Sequence, residues 1–155
     1  MNWIGQRVMA GERLAYLREM DSKIEEYSLG EYWQWLDQRT DIVQQLHQHD
    51  VLVHPSYGEG LPNVVCEALA CGRPVILSNT LDHPRLVQEG QNGYLFDWRD
   101  PSTLAKKILL FNELPRKERS CLGKKGRQFA EAHLSMDRYV DEYERLFRRI
   151  LGEKK

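Results

Sequence analysis

The sequence has few of the features that mark membrane, secreted or metal-binding proteins. None of its apolar runs approaches the roughly 18 residues of a membrane span, and its N-terminus lacks the basic-then-apolar order of a signal peptide. The three cysteines, Cys66, Cys71 and Cys121, are odd in number and show no C-x-x-C spacing, so neither a zinc site nor a disulfide framework is indicated. We therefore expect buried thiols in a reducing cytoplasm.

An excess of charge of one sign is also lacking. The 22 Lys and Arg residues against 23 Asp and Glu leave a net charge of −1 at pH 7, so no overall field attracts nucleic acid. A local basic run has two interpretations, a peripheral contact with anionic lipid or a solvated helix face, and we favour the second. Its residues are Arg116, Lys117, Arg119, Lys124, Lys125 and Arg127.

Metal-ligand patterns are lacking as well. No D-x-D motif is present, and His47 and His49 are two residues apart, so they cannot share one face of the helix predicted there. We expect no metal and no cofactor.

The sequence does contain an alternation of short β-branched runs with longer helical patterns, which predicts βαβ units and a parallel sheet. Residues 1–155 are predicted to form a single α/β domain, Rossmann-like and doubly wound, with helices on both faces of the sheet. Ligands of such sheets bind beyond the carboxyl ends of the strands. Strands are predicted at 2–5, 32–36, 50–54, 74–78 and 93–96. Helices are predicted at 11–28, 62–71 and 83–89, and two or three more over 101–151. Another helix is predicted to begin after the N-cap Thr40.

The most informative stretch begins at His54, where a buried strand ends and a glycine-containing loop leads to a helix. Pro62 is placed in the first helical turn, because a proline there gives up only an amide that would lack a partner anyway. The amides of Gly60, Leu61 and Asn63 then point outwards near the positive end of the helix dipole, where they bind phosphate or the oxygens of a polar ligand. His54 itself is either a packed strand-end histidine or a partner of that ligand.

Two carboxylates accompany this helix terminus. Glu67 shares a helical stripe with Asn63, while the rest of the helix is apolar. It either faces the ligand, where its two oxygens suit the adjacent hydroxyls of a ribose, or is a solvated carboxylate. Glu59 lies in the loop eight residues earlier. Asn63 stands where a G-x-G-x-x-G pattern needs its third glycine, which disfavours dinucleotide binding.

These residues belong to a longer pattern that resembles the nucleotide-sugar half of glycosyltransferase family 4, whose members have the GT-B fold. The matching runs are PSYGEGLPNVVCEALACGRPVILSN, then EGQNGYLFD and a helix start of the form D-P-x-x-L-A. The signature P-S-x-x-E-G-x-P-x-x-x-x-E-A-x-A-x-G-x-P-V is complete between Pro55 and Val75. The resemblance is good over residues 31–150 and loose over residues 1–30.

The resemblance implies roles for individual residues. Glu59 would contact hydroxyls of the donor sugar beside the reacting carbon, and it is the residue assigned to catalysis. Gly60, Leu61 and Pro62 lie where the family's loop wraps the sugar and the phosphates. Glu67 would hold the ribose hydroxyls.

The nucleobase site follows from the same resemblance. Gln38 and Arg39 fall where the family lets backbone groups meet the base, although Asp37 replaces the usual glycine there. Residues 135–151 correspond to the family's last helix, which crosses to the other domain.

The function implied is that of a retaining, metal-independent glycosyltransferase of the hexosyltransferase type, which binds a nucleotide sugar for transfer to a glycan, lipid or other acceptor, as in polysaccharide biosynthesis. Two alternatives stay open: a binding module that senses a nucleotide sugar without turning it over, and a sugar-nucleotide epimerase with the GT-B fold.

The sequence departs from the family at its N-terminal side. The acceptor-binding N-terminal domain is missing from it, and the chain starts at what resembles the second strand of the donor half. The strand and helix that carry the family's Arg and Lys for the diphosphate are not found. We therefore expect an N-terminally truncated half of a GT-B enzyme, which is a fragment, a truncated gene product or one part of a split enzyme. We expect it to be inactive alone and to lie in the cytoplasm or at the inner face of the membrane.

Overall fold

Strands and helices alternate along the chain in the order that the sequence predicts. The structure is a computed structural model that describes residues 1–5 and 12–152. All strand pairs are parallel within these residues, and helices cover both sides of the sheets, which confirms the α/β fold class. The elements are β1 (Asn2–Ile4), α1 (Glu12–Glu26), β2 (Gln34–Leu36), α2 (Ile42–Gln48), β3 (Leu52–His54), α3 (Asn63–Ala70), β4 (Val75–Ser78), α4 (His83–Leu86), β5 (Gly93–Phe96), α5 (Pro101–Glu113), α6 (Arg116–His133) and α7 (Met136–Ile150).

The chain divides into two compact units, Met1–Ile42 and Val43–Lys155. In the first unit, β1 and β2 pair in parallel, with Trp3 opposite Trp35. The indole of Trp35 donates to the carboxylate of Asp21 at 3.0 Å, which fastens α1 to the strand pair. That one domain spans residues 1–155 stays a prediction.

The second unit is built on the sheet β3-β4-β5, in that order. All four residues of the central strand β4 are buried, as its apolar sequence predicts. The flanking strand β3 is only half-buried, so the expectation of a fully buried strand there is wrong. It has a single described neighbour, β4, and therefore less cover than the central strand. The core cluster of the sheet consists of Ile76, Tyr94, Phe96, Phe111 and Leu122.

Glycines allow α3 and α6 to approach each other closely. Gly72 ends α3 with a φ of +66°, a backbone conformation that glycine adopts without strain. A methyl group on Gly123 of α6 would collide with the carbonyl oxygen of Gly72. Arg127 of α6 donates to the carbonyl oxygen of Ala70 at 2.5 Å, so α6 also binds the carboxyl end of α3.

Three local predictions need correction. Helix α2 begins at Ile42, so Thr40 is not its N-cap, and Asp41 precedes the helix instead. Both residue types cap helices, and the sequence offers them side by side. Helix α3 begins at Asn63, which makes Pro62 the N-cap rather than part of the first turn.

Helix α4 ends at Leu86 rather than at residue 89. The side chain of Asn92 accepts from the amide of Gln88 at 2.8 Å and donates to the carbonyl oxygen of Leu86 at 2.9 Å. Asn92 is buried, so these bonds fold the segment back instead of extending the helix.

The cysteines and the basic run also differ from expectation. Cys66 and Cys71 are half-buried, but Cys121 is exposed on α6, and all three are free thiols. Two members of the basic run bind backbone: Arg119 donates to the carbonyl oxygen of Leu114 at 2.9 Å, and Arg127 binds the end of α3. Contact of this run with lipid stays a prediction.

The last helix carries an unburied apolar stripe. Ser135 caps α7, accepting from the amide of Arg138, and no residue of α7 is buried within the described chain. Its crossover role stays a prediction. None of the described helices is both long and apolar enough to span a membrane. The stripe consists of Tyr139, Val140, Tyr143, Leu146, Phe147 and Ile150.

Candidate functional site

The candidate site is the loop that leads from the carboxyl end of β3 into α3. Pro62 has an extended conformation, with φ −75° and ψ 120°, and its carbonyl oxygen accepts from the amides of Val65 and Cys66 at 3.1 and 3.2 Å. The amides of Gly60 and Leu61 have no protein acceptor among the described residues. The loop therefore has two amides without a protein acceptor beside the positive end of α3. Their binding of a ligand stays a prediction.

Helix α3 turns its polar stripe to solvent. Val65, Ala68 and Leu69 are buried against the unit, whereas Asn63 and Glu67 are exposed on one stripe. No partner of the Glu67 carboxylate is found within the described chain. This placement is compatible with both interpretations of Glu67, so its contact with ribose stays a prediction.

Glu59 lies close to His54, whose role the sequence analysis left open. Its Oε2 lies 3.4 Å from Nε2 of His54, with the side chains 42% and 18% exposed. The pair is within ionic range but lacks hydrogen-bond geometry, and Nε2 of His54 has no other partner in the described residues. The structure therefore brings two candidate site residues together, with the imidazole on the inner side.

Sequence reasoning missed His83, at the start of α4. It is fully buried, and its Nδ1 lies 2.8 Å from the carbonyl oxygen of Ser78. Its ring meets that of His54 edge to face, with centroids 5.5 Å apart. No spacing signal marked His83, because the β3-β4 register brings these histidines together from 29 positions apart.

The electrostatics of this pair are dominated by burial. Loss of solvent lowers the pKa of His54 below the usual imidazole range, Glu59 opposes that change, and His83 adds to it. A His54 with a lowered pKa is neutral at pH 7, so Glu59 keeps an uncompensated negative charge.

Two further residues that sequence reasoning missed hold the loop in place. The hydroxyl of Ser78, at the end of β4, donates to the carbonyl oxygen of Ser56, and that of Thr80 donates to the carbonyl oxygen of Tyr57 at 3.0 Å. Their position at the carboxyl end of a buried strand was the available signal, because the carboxyl ends of parallel neighbours lie side by side.

The predicted nucleobase residues lie in the first unit. Gln38 and Arg39 line an open depression of about 510 Å³ formed by residues 35–41. The guanidinium of Arg39 donates to both carboxylate oxygens of Asp41, at 2.6 and 2.8 Å. Its side chain is thus already paired, which leaves backbone groups for a ligand. The nucleobase role stays a prediction.

Comparison with known proteins finds similar sequences and similar folds. The family model described as glycosyl transferases group 1 matches residues 5–112. An N,N'-diacetylbacillosaminyl-diphospho-undecaprenol alpha-1,3-N-acetylgalactosaminyltransferase from Campylobacter jejuni is 31% identical over 119 residues, which are 75% of this chain and 31% of that protein. The chain thus spans about a third of the length of such curated relatives.

Solved structures show the same architecture. Sucrose-phosphate synthase from Thermosynechococcus elongatus superposes with a TM-score of 0.85 at 26% identity, over 99% of this chain and 39% of that one. Anabaena Alr3699/HepE, solved in complex with UDP-glucose, superposes with a TM-score of 0.75 at 25% identity, over 84% of this chain and 35% of that one. In each comparison, this chain corresponds to one part of a GT-B glycosyltransferase.

Proposed function

The chain belongs to the group 1 glycosyl transferases, and from this premise we propose that it binds the nucleotide-sugar donor of a retaining, metal-independent glycosyltransferase. The observation that carries the proposal is the loop into α3, where free amides of Gly60 and Leu61 stand between the carboxylates of Glu59 and Glu67. Amides at a helix N-terminus bind phosphate, and carboxylates accept hydrogen bonds from sugar hydroxyls. One short segment thus offers groups for every polar part of a donor except the base.

The roles divide along the donor. Glu59, on the loop, accepts from hydroxyls of the sugar to be transferred, while Gly60–Pro62 wraps the sugar and the phosphates. Asn63 adds its amide at the same terminus, and Glu67, one turn further along α3, accepts from the ribose. The helix terminus also stabilises the charge that develops on the departing diphosphate, which is electrostatic catalysis without a dedicated nucleophile.

The base is assigned to the depression in the first unit, with the backbone of Gln38 and Arg39 as its partners. The complex of Anabaena Alr3699/HepE with UDP-glucose and the sugar transfer in the name of the Campylobacter relative support a nucleotide sugar as donor. The acceptor is a glycan, a lipid or another hydroxyl compound, and the reaction takes place in the cytoplasm or at the inner membrane face.

The 155 residues by themselves should bind a donor only weakly and transfer nothing. The basic residues with which the family holds the diphosphate have no counterpart in this sequence, and each such charge-assisted contact contributes about 1.5–3 kcal/mol. Loss of two contacts moves a micromolar dissociation constant towards the millimolar range. Transfer also needs an acceptor site and closure over the donor, neither of which we assign to these residues.

Titration of the isotope-labelled chain with UDP, GDP and ADP, followed by amide NMR, tests the proposal. Shifts should centre on residues 59–67 and near Gln38, with one base preferred, and chelation of metals should leave them unchanged. Glu67→Gln should weaken diphosphate binding by about 1–3 kcal/mol, about 5- to 150-fold.

Glu113→Gln is the matched control, because Glu113 is an exposed carboxylate at the last position of α5, outside both the candidate loop and α3. Unchanged affinity in a folded Glu67→Gln variant would remove Glu67 from the site. Saturation at low micromolar ligand would refute weak binding. Interconversion of the donor without an acceptor would favour an epimerase.

A further inference from the structure

We propose that His54 is a positioning residue that holds the carboxylate of Glu59 towards the donor sugar, with His83 fixing the ring of His54 from the buried side. The inference rests on the proposed role of Glu59 in binding that sugar. It adds to that role a function for two histidines that do not themselves touch the donor.

The first support is the geometry of the loop. His54 ends β3, and Glu59 follows after a loop of four residues that returns its carboxylate to within 3.4 Å of Nε2 of His54. Nε2 is shielded from solvent and has no hydrogen-bond partner in the described chain. Because a carboxylate only accepts, the Nε2–H tautomer of His54 is the one that can bond Glu59, and a buried N–H is costly to leave unsatisfied. A slight turn of Glu59 brings one carboxylate oxygen into this bond and leaves the other oxygen for the sugar.

The second support is the surroundings of His83. Its Nδ1 lies 2.8 Å from a carbonyl oxygen, which only accepts, so this nitrogen carries a proton. The other ring nitrogen of His83, Nε2, is buried without a partner in the described residues. His83 has no exposed surface, and its ring packs edge to face on His54. It therefore restricts the His54 ring without competing for Glu59.

The charge state follows from these contacts. The titratable groups that face His54 are Glu59 on the loop and His83 on α4. Burial holds the pKa of His54 below its usual range, so at neutral pH a neutral imidazole orients Glu59 without cancelling its charge. Protonation of His54 at lower pH would form an ion pair that draws the carboxylate away from the sugar hydroxyls. Sugar-dependent affinity should thus fall as the pH falls through the pKa of His54.

The test compares binding of UDP, GDP and ADP with binding of the glucose ester of each. His54→Phe keeps a ring of similar size but removes the nitrogen that faces Glu59. For the preferred base, we expect it to weaken binding of the sugar nucleotide about tenfold and to leave binding of the sugar-free diphosphate within about twofold. His54→Gln, which restores a donor, should recover part of the loss.

A double-mutant cycle separates positioning from a general structural effect. His54→Phe combined with Glu59→Gln should bind the sugar nucleotide no more weakly than Glu59→Gln alone, because the histidine acts only through the carboxylate. Additive losses would overturn the proposal. So would equal losses for the diphosphate and its glucose ester.

A measurement without ligand distinguishes failure of this inference from failure of the proposed function. In the free protein, Glu59→Gln should lower the pKa of His54, read from imidazole proton shifts, whereas Glu113→Gln should not. An unchanged pKa would overturn the contact whatever the protein binds. A changed pKa in a protein that binds none of the six ligands would instead refute the proposed function, and with it the role of the pair in holding a sugar.

Discussion

At the scale of single residues, the two carboxylates of the site have different surroundings. Glu59 lies 3.4 Å from a half-buried histidine, which we propose restrains it, whereas Glu67 is exposed on α3 without a partner in the described chain. A carboxylate of fixed orientation is expected to bind the sugar that is transferred, because the orientation of that sugar matters for the reaction. A carboxylate without a protein partner is expected to bind the ribose, which does not react.

This difference predicts separable effects of substitution. Glu59→Gln should weaken binding of the intact nucleotide sugar by about 1–3 kcal/mol and spare the sugar-free diphosphate, whereas Glu67→Gln should weaken both. Calorimetry on the two ligands measures each effect. Equal losses of both ligands in Glu59→Gln would contradict the division of roles between the carboxylates.

The cysteines allow a second test at this scale. Burial raises the pKa of the Cys66 thiol, so little reactive thiolate is present at neutral pH, while Cys121 is exposed. In the folded protein at pH 7.5, a thiol reagent should label Cys121 well before Cys66, as read by peptide mass spectrometry. The difference should vanish in denaturant. Faster labelling of Cys66 would show that this face of α3 is open to solvent.

At the scale of elements, the position of the candidate loop depends on how α3 packs. Helix α3 is buried by Val65, Ala68 and Leu69, and α6 crosses it at Gly123, where a side chain would strike the carbonyl oxygen of Gly72. The packing of α6 against the end of α3, which only a glycine at position 123 permits, therefore fixes the position of α3 and of its N-terminus.

Gly123→Ala should destabilise the protein even though alanine is the better helix former by about 1 kcal/mol. The collision with backbone outweighs the gain, and we expect a net loss of about 1–3 kcal/mol, measured by denaturant unfolding. Gly126→Ala is the matched control on the same helix, since the atom nearest to its methyl would be the flexible end of Leu69, at 3.1 Å, and the next contacts lie at an ordinary 3.8 Å. A Gly123→Ala variant as stable as Gly126→Ala would show that α3 and α6 separate readily.

At the scale of the whole molecule, the half-buried His54 makes stability depend on pH. Its pKa is lowered in the folded state, while in the unfolded chain an imidazole has a pKa of about 6.5. The unfolded state therefore binds the proton first, so the contribution is fully present above about pH 6.5 and is lost as the pH falls towards the folded pKa.

We expect the free energy of unfolding to decrease between pH 7 and pH 5, and to decrease less in His54→Phe than in the unsubstituted chain. Denaturant titrations at several pH values, taken as the difference between the two proteins, remove the contribution of carboxylates common to both. An identical pH dependence of the two proteins would show that His54 is not kept neutral by the fold.

The order of elements and the candidate loop could be predicted from the sequence, because their signals are local. The short apolar run Val75–Leu77 indicates β4, Gly72 follows the end of α3, and the glycines and proline before Asn63 indicate a loop that enters a helix. The α/β fold class follows from their alternation. The predicted start of α2 was wrong because two neighbouring residues, Thr40 and Asp41, are both types that cap helices.

The tertiary structure alone decided which distant residues meet. The parallel register of β3 and β4 places Ser78 against Ser56, and His83 against His54. The packing of α6 on α3 sets Arg127 against Ala70, 57 positions away. No periodicity in a single segment encodes such pairs, since they arise from the alignment of separate strands and helices. The sequence by itself thus determined the order of the elements and the candidate loop, whereas the fold determined which distant histidines and hydroxyls lie against this loop.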